Sequence, residues 1–185
     1  MKIAFTLAAL SLATAALPAF AKGVVVNQAL SEPEVLAGQQ GWCKALVDIA
    51  ATGAKSGQPA AKALAEKVID AAYGYQMGAV LFKPTLTVNP HTFRTTRAGA
   101  LAYFVGGDPA FPKDTGFAMK GWTHCAVDNA AIFIAGDSAT TMGKVHFTGK
   151  DGKITSVDKT WKFVKDDAGK LRIVVHHSSL EYSGQ

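Results

Sequence analysis

Four segments, Ile132-Phe133-Ile134, Ala139–Thr148, Ile154–Lys165 and Leu171–Tyr182, follow one another across short polar connectors. The connectors are Gly136-Asp137, Gly149-Lys150-Asp151-Gly152 and Asp166-Asp167-Ala168-Gly169. Glycine supplies positive φ and aspartate supplies local side-chain turns, which together make tight hairpins. This pattern constrains the chain more than any other, because it dictates an antiparallel meander. Several of the segments reach ten residues or more. Strands of that length twist with a fixed hand, so the sheet they build must curve.

Before the meander the period is helical. Ser31-Glu32-Pro33-Glu34 reads as a helix start, with a capping serine, proline in the first turn and glutamate three residues after the cap. Val35, Leu36, Trp42, Leu46, Val47 and Ile49 then recur at helical spacing. Breaks are expected at Thr52-Gly53 and Ser56-Gly57-Gln58-Pro59, and a second helix runs from Ala61 towards Tyr73. Val80–Val88 reads as a strand interrupted at Pro84, hence an edge or a bulge. Ala100–Val105 fits a short strand or a helix. Gly106-Gly107-Asp108-Pro109 opens a loop to about Gly121 that carries Phe111, Phe117 and Met119, residues that belong over a core rather than in solvent. Helices first and a meander after them give an α+β fold, with N-terminal helices packed on one face of a long curved antiparallel sheet. Such a sheet closed by helices is a cone, and its mouth is the natural pocket.

The chain has 185 residues, one domain's worth, and 49% of them are hydrophobic. Its formal charge of +5 is spread along the sequence, which argues against a nucleic-acid partner. Lys2, the apolar run Ile3–Leu17 and Ala19-Phe20-Ala21 form a secretory signal pattern. The expected organisation is therefore a signal peptide over 1–21 and a single domain over 22–185, exported to the periplasm or secreted, with no membrane contact after processing. In an oxidising compartment Cys43 and Cys125 can form a bridge, but two buried thiols fit the sequence equally well. His91, His124 and His146 are isolated, with no HxH, HExxH or CxxC spacing. Neither a phosphate-cradling glycine loop nor a GxSxG elbow is present.

The densest polar cluster is His176-His177-Ser178-Ser179. Strand alternation puts His176 and Ser178 on one face with Val174 and Leu180, and His177 and Ser179 on the other with Ile173 and Val175. Together with Trp161-Lys162-Phe163, Leu81-Phe82-Lys83-Pro84-Thr85, Tyr103-Phe104-Val105 and the Gly116–Trp122 loop, this cluster resembles the iota-class carbonic anhydrases. Those belong to the NTF2-like (cystatin-like) group, related to the association domain of calmodulin-dependent kinase II. The resemblance spans about Leu30 to Tyr182. It implies reversible hydration of carbon dioxide to bicarbonate in a hydroxyl-lined cone. Its site residues carry over to Thr85, Tyr103, His176 and Ser178 as catalytic positions, with His177 and Ser179 as lesser, substrate-binding ones that need a bulge to turn inward. No metal ligand and no required cofactor are implied, although zinc and manganese stay open. Thr85, Tyr103 and Ser178 would hold water and bicarbonate by hydrogen bonds, and His176, titrating near neutrality, would carry the proton.

Two other readings stand beside it. One is a non-enzymatic NTF2-like module for small-ligand binding or oligomerisation. The other is a ketosteroid-type isomerase, which needs a carboxylate in the cone and has only Asp137 and Asp158 to offer. The long curved sheet leaves one face open, and the resemblance implies that this face pairs into a homodimer. Trp42, Tyr73 and Trp161 read as packing residues, and Lys159, Lys162 and Lys165 as markers of solvent faces.

Overall fold

A computed structural model of the protein describes Gly23 and residues 27–184. The expected signal segment lies outside the described residues. Ser31 opens the first helix as expected: its backbone N–H and its hydroxyl both donate to the Glu34 carboxylate, at 2.8 and 2.7 Å. Helix α1 spans Glu32–Ala72. Of the two expected breaks only one exists, at Gly57, whose φ of 81° is accessible to glycine at little cost. Gly53 stays helical and serves close approach instead: a Cβ there would lie 2.6 Å from the Met119 methyl. Val35, Gln39, Trp42, Leu46, Ile49 and Gly53 form the buried stripe of the first half, at alternating steps of four and three.

The sheet has five strands, β1 (Leu81–Lys83), β2 (Trp122–Ala135), β3 (Ser138–Gly149), β4 (Ile154–Lys165) and β5 (Leu171–Ser179), in the order β1-β5-β4-β3-β2. The last four form the meander, and β4 has the bounds expected from sequence. One expectation is corrected: the sheet is mixed, because β1 pairs parallel to β5, with Phe82 opposite His176. Pro84, which has no N–H to give to a ladder, ends β1 after three residues. β2 begins ten residues before Ile132, and β5 stops at Ser179 rather than Tyr182. Ala100–Val105 is helical, within α2 (Arg97–Val105), and every residue from Gly99 to Val105 is buried.

α1 crosses the concave side of the sheet. Trp42 sits at the crossing, with ring centres 5.5 Å from Trp161, 5.4 Å from His176, 6.2 Å from Phe147 and 6.4 Å from Phe104. The loop after α2 covers the mouth, burying Phe117 and Ala118 in a short turn. Arg94 and Asp114, both almost wholly buried, pair through two oxygens at 2.8 and 2.9 Å and tie this loop to the segment after β1. Cys43 on α1 and Cys125 on β2 are disulfide-bonded, with Cα atoms 5.2 Å apart. The architecture is the α+β cone that the sequence predicts.

Candidate active site

The concave face collects four side chains from three elements. His176 and Ser178 point inward from β5, each only 1% exposed. Their parity is the expected one, but Ile173 rather than Val174 shares their face. A bulge opposite Lys162 and Phe163 takes up Val174 as an extra residue. That irregularity precedes the cluster, so it cannot turn His177 and Ser179 inward. His177 is exposed and Ser179 half-buried on the outer side. The geometry therefore does not bring these two lesser candidates to the pocket.

The parallel pairing of β1 with β5 delivers Thr85 to Ser178, and their hydroxyl oxygens lie 2.5 Å apart. Lys83 Nζ donates to the Ser178 carbonyl at 3.1 Å and steadies the strand end. Tyr103 comes from α2 and is 5% exposed. Its ring stacks on Phe117, with centroids 5.5 Å apart, and meets Phe82 edge-on. Its hydroxyl faces Thr85 and Leu86 but forms no well-oriented hydrogen bond. Trp42, Phe82, Phe104 and Phe117 wall the space between these groups. That space is narrow, about 180 Å³ in all and nowhere wide enough in this conformation for a water molecule. A wider cleft, with room for water, runs between α1 and β2 beside the disulfide, and holds none of the candidate residues.

Residues 33–180 match the family described as metal-independent carbonic anhydrase. The chain belongs to that family. A metal-independent carbonic anhydrase from Nostoc sp. (strain PCC 7120) is 64% identical over 161 residues, covering 87% of this chain and 78% of that protein. The crystal structure of an iota-carbonic anhydrase from a cyanobacterium, complexed with bicarbonate, superposes with a TM-score of 0.86. It is 63% identical and covers 88% of this chain and 99% of that one. A structure described as a calcium/calmodulin-dependent protein kinase II association domain from Xanthomonas campestris covers 91% of this chain and all of its own. At 23% identity and a TM-score of 0.51, it shares the fold alone.

In this metal-independent carbonic anhydrase the electrostatics of the pocket are set by burial. His176 was expected to titrate near neutrality. Instead burial, aided by Lys159 and His177, holds its imidazole well below the ordinary 6.5, so the ring is neutral. Both ring nitrogens are engaged: Nδ1 with the Tyr73 hydroxyl at 2.8 Å, and Nε2 with Lys159 Nζ at 2.9 Å. Phe82 stacks on the ring at 4.3 Å. Burial raises the Tyr103 phenol above its ordinary value, so it stays protonated.

Lys159 corrects a second expectation. It is not on a solvent face but buried, and burial lowers its amine to about 7. The signal was in the sequence: Val157, Lys159, Trp161 and Phe163 share one parity, and the other three are core residues. Tyr73 and Trp42 do pack the core, as expected, but they also bond: Trp42 Nε1 donates to the Tyr73 hydroxyl at 2.9 Å.

Among the described residues, no carboxylate lines this pocket. Asp158 pairs with Lys144 at 3.0 Å on the outer face, and Asp137 sits in the β2–β3 turn. The isomerase reading therefore lacks its base. Among the described residues, no three His, Cys, Asp or Glu side chains gather as a metal site would require.

Proposed function

We propose that Thr85, Tyr103 and Ser178 hydrate carbon dioxide in this pocket, as the family's name implies, without a metal. The observation that carries the assignment is the unpartnered, buried Tyr103 hydroxyl converging with the Thr85–Ser178 pair between aromatic walls. Such apolar walls suit a small apolar molecule once the pocket widens. Its hydration needs an oriented water and donors for the oxygens on which charge develops. Tyr103 is a neutral phenol here, hence a donor and not the base. Thr85 and Ser178 satisfy each other in the closed state and exchange that bond for water or bicarbonate when substrate enters. The tightness of the pocket requires this opening.

The test is stopped-flow carbon dioxide hydration by the mature protein, with and without a chelator. Wild type is expected to keep its rate in chelator. Tyr103→Phe and Ser178→Ala are each expected to lose about 100-fold or more, the usual cost of removing one donor to a developing oxyanion. Full activity in both variants would overturn the site, and an inactive wild type would return the chain to the ligand-binding reading.

The mature protein is exported, to the periplasm or beyond, and works as a homodimer. The Cys43–Cys125 bridge supports the first statement, since such bridges persist in oxidising compartments. The uncovered apolar side chains on the outer face of the sheet support the second.

A further inference from the structure

We propose that Lys159, as a neutral amine, accepts the proton released when water adds to carbon dioxide, and that His176 positions it for this step. The inference rests on the hydration reading above and supplies the acceptor which that reading lacks.

The placement comes from the sheet. Lys159 is directly opposite Ser178 in the β4–β5 ladder, and both point to the concave side. Cβ atoms of such pairs are about 5 Å apart, so the lysine stem rises beside the hydroxyl that binds water. The residue is 4% exposed and lines the same pocket as Thr85 and Tyr103.

Its surroundings disfavour a cation. Nζ faces the rings of Trp42 on α1 at 4.8 Å, Trp161 on β4 at 5.4 Å and Phe147 on β3 at 5.9 Å. From β5 it meets neutral His176, with Tyr73 of α1 behind that ring, and Tyr103 of α2 lines the far side of the pocket. His177 and the Asp158–Lys144 pair lie on the opposite side of the sheet. Among the described residues no carboxylate forms an ion pair with it. Aromatic faces repay only part of the cost of burying an ammonium group. The amine therefore releases its proton at about 7.

An indole N–H only donates, so Trp42 fills one lone pair of the Tyr73 oxygen, and the phenol's own hydrogen goes to His176 Nδ1. The imidazole proton is then on Nε2, which donates to the neutral Lys159 amine and holds Nζ beside the pocket. To take up a proton, the amine breaks this bond and turns its lone pair from the ring towards the attacking water. In the reaction, the water oxygen bonds to carbon and one C=O pair moves onto its oxygen. The broken O–H bond leaves its electrons on the attacking oxygen and its proton on Nζ. The ammonium then returns that proton to solvent.

The experiment compares pH profiles of kcat/KM for wild type, Lys159→Met and Lys159→Arg in the hydration assay. Wild type is expected to rise with pH around an inflection near 7. Both variants should lose about 100-fold or more and lack the inflection, since general bases contribute about that much. A Lys159→Met enzyme with wild-type rate and profile overturns the proposal and leaves the hydration reading standing, whereas an inactive wild type overturns the hydration reading itself. A second measurement does not depend on the variants folding: the pH titration of ¹³C-labelled lysines in the wild type. One lysine should titrate with the midpoint of the rate profile. If every lysine titrates near 10, the proposal falls.

Discussion

A lysine enclosed by three aromatic rings changes how the folded state responds to pH. The unfolded chain holds the Lys159 proton up to about 10.5, while the folded chain releases it at about 7. Between those values the unfolded state binds more protons, so stability rises with pH across that window and is lowest below it. The full span is worth about 5 kcal/mol. His176, lowered in the same direction, adds a further loss as pH falls through its ordinary 6.5. Urea unfolding of wild type and Lys159→Met between pH 6 and 10 should show the variant gaining relative to wild type as pH drops. A difference independent of pH would mean that Lys159 stays charged in the fold. Strand parity made it legible that His176 and Ser178 share a face, and the resemblance supplied which way that face turns. The same rule applies to Lys159, but a charged residue on a strand reads as solvent-facing. The bonding roles of Tyr73 and Trp42 were not legible, because they depend on partners about 30 and 100 residues away.

At the scale of elements, legibility followed burial. β4 has one buried face and one solvated face, and alternation located it from end to end. α2 is buried all round, so neither period stood out from its apolar run. The first half of β2 lies at the edge of the sheet, and after Trp122 none of its residues is fully buried, too weak a pattern to read as a strand. The disulfide fastens this edge. Cys43 and Cys125 are separated by 82 residues, and closing a loop of that length removes about 4 kcal/mol of unfolded-state entropy. Reduction, or a Cys43→Ala/Cys125→Ala double variant, is expected to lower unfolding free energy by about that amount. The carbonic anhydrase site should survive at low temperature, because its residues lie on the segment after β1 and on α2, β4 and β5. Unchanged denaturation midpoints after reduction would show that the packing of α1 on β2 suffices without the bridge.

The whole molecule has two sheet faces with different fates. Helix α1 and the long loop use up the concave face. The outer face is left to the solvent, and on it Phe133 is 71% exposed and Met142 61%. Phe133 is opposite Thr140, and Met142 is opposite Ala131 and Thr160, so the two apolar side chains stand on adjacent strands of the same face. Large apolar groups exposed side by side on a sheet mark an interface, and a second copy of this face can cover them. A stable pair needs about 800 Å² from each partner, which a four-stranded outer face can supply. Light scattering at micromolar concentration should give a dimer for wild type. A Phe133→Lys/Met142→Lys double variant should give a monomer, since two-fold symmetry would bring like charges together in the interface. The hydration rate per chain should persist, because Thr85, Tyr103, Lys159 and Ser178 face the other way. A monomeric wild type would remove the dimer altogether. A double variant that stays dimeric would move the interface to another surface.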